Sequence, residues 1–168
     1  MKNIILIGMP GAGKSTVGVI LAKTIGMNFI DTDLIIQERY NTLLQDMINN
    51  EGIDSFLRKE EESILSLECN NSVIATGGSV VYSPVSMEHL KKLGKIIYLK
   101  LTCEEVVSRI NNIKTRGIVI EKGQQLSDVF VQRTPLYEKY CDVIVNCSGV
   151  DIESIVERIK NVIMKGGT

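Results

Sequence analysis

Two rhythms of apolar and polar positions alternate along the chain. Asn3–Ile7, Ser72–Thr76 and Lys95–Leu101 are short, nearly continuous apolar runs, the pattern of strands covered on both faces. Asn28–Asp31 and Asp142–Val145 predict two further strands. Between these runs the period lengthens to that of a helix. Lys14 to about Gly26 sets Val17, Leu21 and Ile25 four residues apart, with Gly26 where a helix C-cap would stand. Asp54 to about Cys69 predicts a helix capped by Asp54 and burying Phe56, Leu57, Ile64 and Leu67. Ser86–Leu93, a helix capped by Thr102, Gln124–Tyr140 interrupted at Pro135, and Asp151–Lys165 complete the helical set. Asn111–Gly123 has no clear period and reads as a mobile loop. Strands alternating with helices predict an α/β fold with a parallel sheet covered on both faces, whose ligands bind at the carboxyl ends of the strands. Gly8, Asp31, Gly77 and the Asn146 region all fall at those ends.

The chain has 168 residues, the size of one domain, and no repeat or linker divides it, so residues 1–168 read as a single unit. Its 19 Lys and Arg balance 20 Asp and Glu, which leaves no broad positive surface for nucleic acid or an anionic membrane. An anionic ligand must be held by local groups. The longest apolar runs, such as Ile4–Ile7, are far short of the roughly 20 residues of a membrane helix, and the N-terminal stretch is too short for a signal-peptide core. Cys69, Cys103, Cys141 and Cys147 form no C-x-x-C pair, and with His89 they give no metal-ligand spacing. They read as reduced, mostly buried thiols of a cytoplasmic protein.

Gly8-Met-Pro-Gly-Ala-Gly13-Lys14-Ser15 fits G-x-x-x-x-G-K-[ST] and lies between a predicted strand and a predicted helix. Its glycines let several N–H groups converge on an anion, and the helix N-terminus adds partial positive charge. Lys14 can reach the β- and γ-phosphates of a nucleotide, and the Ser15 hydroxyl can ligate Mg²⁺. The guanine-reading N-K-x-D motif is absent, and the acid lies at the end of the second strand, which favours a small kinase over a GTPase or motor-type ATPase. Asp31 and Asp33 have period-two spacing, so a persisting strand would point both carboxylates the same way. One could serve Mg²⁺ and the other orient an acceptor hydroxyl and accept its proton; alternatively, one merely caps the next helix.

Gly8–Ser15, Asp31-x-Asp33, Leu57-Arg58 followed by Glu61, Ala75-Thr76-Gly77-Gly78 and Arg133-x-Pro135-Leu136-Tyr137 together resemble the shikimate kinases in order and spacing, from about residue 3 to residue 146. The resemblance implies a P-loop kinase of the nucleoside-monophosphate-kinase-like type, with a five-stranded parallel sheet flanked by helices, a substrate-binding region at about 32–61 and a mobile lid at about 111–123. It implies ATP held by Gly11, Ala12, Gly13, Lys14, Ser15 and Thr16, with Arg109 stacked on the adenine and Arg116 covering the transferring phosphate. Mg²⁺ would be served by Ser15 and Asp31. Asp33 would contact the acceptor hydroxyl as general base or orienting group, and Lys14 and Arg116 would share the catalytic work. Arg58 and Arg133 would grip the acceptor carboxylate, with Gly77 and Gly78 lining the pocket. A planar carboxylate suits the fork of arginine better than the point charge of lysine.

Three positions depart from the family pattern. Ser79 stands where the family usually has a third glycine, Gln37 where it has Glu, and Thr115–Ile120 lacks the Pro that commonly follows the lid arginine. The implied activity is transfer of a phosphoryl group from ATP to the 3-hydroxyl of shikimate, a step of aromatic amino-acid biosynthesis. The expected partner is that small molecule, with no nucleic acid and no membrane, and the expected state is a monomer. The rival readings are another small-molecule kinase, for gluconate or a nucleoside monophosphate, and a nucleotide-binding module without catalysis.

Overall fold

The computed structural model describes residues 2–110 and 117–165. Five strands form one parallel sheet: β1 (Asn3–Ile7), β2 (Asn28–Asp31), β3 (Ser72–Ala75), β4 (Gly94–Lys100) and β5 (Val143–Asn146), in the spatial order β2-β3-β1-β4-β5. The register sets Ile4 beside Val73 and Lys95, Phe29 beside Val73, and Leu99 beside Val145. β1 and β3 are buried at every residue, as their unbroken apolar runs require, while the edge strands β2 and β5 are partly exposed.

Helices cover both faces: α1 (Lys14–Ile25), α2 (Thr32–Tyr40), α3 (Leu44–Glu51), α4 (Ile53–Leu65), α5 (Pro84–Leu93), α6 (Cys103–Ile110), α7 (Leu126–Tyr140) and α8 (Ile152–Lys165). Gly26 ends α1 in the left-handed conformation, as its spacing predicted. Thr102 and Glu105 cap α6 reciprocally: the Glu105 N–H donates to Thr102 Oγ1, and the Thr102 N–H to Glu105 Oε2. No described helix is long and apolar enough to cross a membrane.

Several sequence expectations are corrected. α3 was not foreseen, and α2 only as a helix that one of the acid pair would cap, because α2 buries only Thr32 and Ile36 and α3 only Leu44 and Met47, too few positions to print a period. α4 begins at Ile53, with Gly52 at the cap position and Asp54 inside the first turn. It ends at Leu65 rather than near Cys69, where the Ser66 hydroxyl donates to the Ser63 carbonyl and diverts the last turn. Pro135 does not interrupt α7. Its ring deprives the Val131 carbonyl of a helical partner, but Val131 is 70% exposed, so water can replace it. Of the four thiols only Cys147 is buried; the other three are half-buried, and all four are free.

The main core lies around the sheet. A second, smaller cluster of Ile36, Leu44, Met47, Phe56 and Val119 joins α2, α3 and α4 to the segment after residue 116. The expected lid at 111–123 falls partly on residues 111–116, outside the described residues.

Candidate active site

β1 occupies the centre of the sheet, so the residues after β1 and after its neighbour β3 open on one crevice. Thr76 spans the junction, donating both its N–H and its hydroxyl to the Leu6 carbonyl. Around this crevice a cavity is lined by the loop residues Gly11, Gly13, Lys14, Ser15 and Thr16, and by Asp33, Glu60, Gly77, Gly78, Ser79 and Arg133. Residues far apart in sequence therefore meet at the carboxyl end of the strands, where the alternating pattern predicted a ligand site.

The phosphate loop curls between β1 and α1. Gly13 takes the left-handed conformation at the α1 N-terminus, with φ 88°, leaving the first N–H groups of that helix pointing into the crevice. Lys14 is buried, and its Nζ donates to the carbonyls of Gly8 at 2.8 Å and Met9 at 2.9 Å. These bonds hold the ammonium over the loop. Ala12 is buried and its N–H donates to the Met9 carbonyl, so that donor is already engaged in shaping the turn. Arg109, on α6, reaches the loop from its outer side, with Nη1 donating to the Gly11 carbonyl at 3.2 Å.

The acid pair does not keep strand geometry. β2 stops at Asp31, and Asp33 lies in the first turn of α2, so the expectation of two parallel carboxylates on one strand face is corrected. Asp31 does two things. Its Oδ1 accepts the Asp33 N–H and caps α2, while its Oδ2 accepts the Ser15 hydroxyl at 2.6 Å. The helical turn in turn carries Asp33 round to the cavity, beside the double glycine. Thr32 fastens the same junction, its hydroxyl accepting the Gly77 N–H. The Ser15 hydroxyl and Asp31 carboxylate form an adjoining pair of hard oxygen donors at the mouth of a phosphate loop, a donor set that fits Mg²⁺.

The double glycine is required by close approach. A Cβ on Gly77 would lie 2.5 Å from Glu60 Oε1 and 3.0 Å from Asp33 Oδ1, and one on Gly78 would lie 2.7 Å from Pro10 Cδ. Tyr137, stacked on Tyr98 with ring centroids 5.0 Å apart, donates its hydroxyl to the Gly78 carbonyl at 2.5 Å. One helical turn earlier on α7, Arg133 is 1% exposed. Its Nη2 donates to the Val119 carbonyl at 2.6 Å, its Nε to the Tyr82 hydroxyl at 3.1 Å, and its guanidinium lies 5.0 Å from the Tyr82 ring centroid. The two arginines expected together are not placed together. Arg58 is exposed and lines a neighbouring cavity with Leu57, Glu61, Tyr82 and Ser83. Arg116 lies outside the described residues.

Glu60 was missed by the sequence reading, although its signal was present. Phe56, Glu60 and Ile64 follow one another at helical spacing on the buried face of α4, so a carboxyl interrupts an apolar stripe. Its Oε2 accepts the Ser79 hydroxyl at 2.8 Å, while Oε1 has no hydrogen-bond partner among the described residues. Burial, helped by the Asp33 charge, pushes its pKa up to about 7, against the Ser79 bond and the charges of Arg133 and Lys14. One ring nitrogen of His89 meets the Leu67 carbonyl.

The family model described as shikimate kinase matches residues 10–164. A curated relative, the shikimate kinase of Francisella tularensis subsp. novicida (strain U112), is 34% identical over 98% of this chain and 96% of its own. Among solved structures, shikimate kinase from Acinetobacter baumannii in complex with shikimate superposes with a TM-score of 0.90 at 27% identity, covering 99% of this chain and 95% of that one. Shikimate kinase from Aquifex aeolicus gives a TM-score of 0.84 at 26% identity, over 98% and 97% of the two chains. The family model and the curated relative each span most of the chain, and the chain belongs to the shikimate kinase family.

Proposed function

We propose that this chain transfers the γ-phosphoryl group of Mg²⁺-ATP to the 3-hydroxyl of shikimate, with Asp33 aligning that hydroxyl and accepting its proton. The observation that carries this reading is the meeting of Asp33, Lys14 and Arg133 in one cavity from three separate elements. The phosphate loop cradles the nucleotide through backbone N–H groups and Lys14. Ser15 and Asp31 would hold Mg²⁺, which would supply positive charge against the phosphates. Asp31 also fixes the first turn of α2, so the residue that serves the metal orients the residue that serves the acceptor.

Positioning and electrostatics do most of the work in such a transfer. Lys14, already buried, offsets negative charge on the moving phosphoryl group without first shedding water. The acceptor lies in the cavity that Gly77 and Gly78 line, and Arg133 receives its carboxylate. Arg133 arrives pre-oriented, because Val119 and Tyr82 already fix its planar fork. Arg116 and Arg109 complete the nucleotide side, Arg109 through its contact with the loop.

The test is ADP release from Mg²⁺-ATP with shikimate, against gluconate, nucleoside monophosphates and no acceptor. Release that requires shikimate is the expected result; release with another acceptor discards the substrate, and none at all discards the kinase reading. Asp33→Asn should lower kcat about 10²- to 10⁴-fold while nucleotide affinity stays near normal. Undiminished turnover in that variant would remove Asp33 from its role.

A further inference from the structure

The phosphate loop takes most of its shape from its own backbone, but one of its peptides is also held from outside. Gly11 and Gly13 sit at positive φ, 78° and 88°, in the kind of backbone concavity that gathers N–H groups around an anion. The peptide between Gly11 and Ala12 is fixed on both sides. Its N–H donates to the Met9 carbonyl at 3.1 Å, and its C=O accepts Arg109 Nη1 at 3.2 Å, from 98 residues away. Glycine resists rotation of its peptides less than any other residue, so the outside bond has something to fix.

Arg109 is itself set in a fixed place. The last turn of α6 packs on the loop, where a Cβ on Gly11 would lie 3.3 Å from Ile110 Cγ1 and 3.5 Å from Arg109 Cβ. The other end of α6 is tied to the segment after β5. There the Gly149 N–H donates to Glu105 Oε1 at 2.9 Å and the Thr102 N–H to Ser148 Oγ at 3.1 Å. α6 is thus a strut from the carboxyl end of β5 to that of β1, reaching past β4 between them. Arg109 is the tip of that strut, and it meets the loop with a charged donor, which bonds a carbonyl more strongly than a neutral one.

We propose that Arg109 is a positioning residue of the phosphate loop: through the Gly11 carbonyl it keeps the loop's N–H groups converged on the phosphates, whatever base the nucleotide carries. The proposal rests on the nucleotide reading above and deepens it. An arginine that only stacked on adenine would contribute through the base alone, and a ligand made of phosphates alone would not register its removal. An arginine that holds the loop contributes to any bound triphosphate, because it preorganises the cradle itself. Arg109 acts through Gly11 and needs no contact with the reacting atoms.

The experiment titrates Mg²⁺-ATP and Mg²⁺ with inorganic tripolyphosphate into the unsubstituted chain, Arg109→Ala and Arg109→Lys by isothermal calorimetry. It is run in roughly 0.3 M KCl, where a charge acting only from afar is largely screened. Arg109→Ala should weaken tripolyphosphate about tenfold and ATP by at least that factor, with acceptor KM unchanged within about twofold. Arg109→Lys keeps a charged donor for the carbonyl and should come within about threefold of the unsubstituted chain toward tripolyphosphate. Unaltered tripolyphosphate affinity in Arg109→Ala overturns the proposal, whether or not ATP is weakened. So does an Arg109→Lys variant as weak as Arg109→Ala, and so does an unsubstituted chain that binds ATP but not tripolyphosphate. Failure of the nucleotide reading has a separate signature: the unsubstituted chain binds neither ligand and releases no ADP with shikimate, and that overturns both.

Discussion

The half of the site proposed to hold the nucleotide and the half proposed to hold the acceptor are built by opposite means. Gly8 to Thr16 is one unbroken segment, and its geometry follows from its own backbone: a left-handed Gly13, a lysine folded back on the two carbonyls that precede the turn, and a helix N-terminus. The acceptor half has no such segment. Asp33 comes from α2, Glu60 from α4, Gly77 to Ser79 from the end of β3, and Arg133 from α7, and they are held by bonds that cross long stretches of sequence. Val119 links this half to the smaller apolar cluster, so packing under α2, α3 and α4 also bears on where Arg133 is anchored. Chemistry common to many kinases thus sits on a rigid local turn. Chemistry that selects the acceptor sits on an assembly whose parts can be exchanged one at a time.

The sharpest way to break this comparison is Lys14→Met. It should lower kcat about 1,000-fold while leaving acceptor affinity within about twofold, because a preorganised donor to the moving charge is lost from the nucleotide half alone. Steady-state kinetics with both substrates varied checks it, and a large rise in acceptor KM would show that the halves are not separable.

Next in size is a pH effect confined to the acceptor half. Glu60 releases its proton near 7 in the fold and near 4.5 in the unfolded chain, so the native state holds more protons in that window and stability falls as pH rises through it. Relative to Glu60→Gln, the unsubstituted chain should lose about 3 kcal/mol between roughly pH 4 and pH 8. Asp33, Lys14 and Arg133, whose charges act on Glu60, are common to both proteins. Urea unfolding of the two across that range measures the gap, and a gap that does not change with pH would refute it.

Arg133→Ala should raise acceptor KM about 30-fold and leave ATP KM almost unaltered, with some loss of thermal stability as the Val119 carbonyl and Tyr82 hydroxyl lose their donor. The smallest effect sharpens the comparison most. Arg58→Ala should change acceptor KM by less than about twofold, since that side chain is exposed and lines the neighbouring cavity instead of the active-site one. A loss as large as that of Arg133→Ala would return Arg58 to the carboxylate grip.

Legibility in the sequence follows the same division. The five strands, the helix after the loop and the crevice at the strand ends were all readable, because continuous apolar runs and helical periods report burial directly. α2 and α3 were not, since each buries only two positions. Asp31 and Asp33 were singled out as a pair, yet their geometry was misread. Period-two spacing assumes a strand that Asp31 itself ends by capping the next helix. Glu60 was legible only as an oddity, a carboxyl on an apolar face, and nothing in its neighbours said what it faced.

By itself, then, the sequence determined the order of elements, the parallel sheet, the phosphate loop and the kind of group each half of the site would need. Only the tertiary structure decided which carboxyls share a wall, which arginine is buried across the crevice and which lies outside it. The physical reason is range. Backbone dihedrals and side-chain periodicity act over a few residues and are written in adjacent letters, whereas the approach of Glu60 to Ser79, or of Arg133 to Val119, depends on how whole helices pack on the sheet.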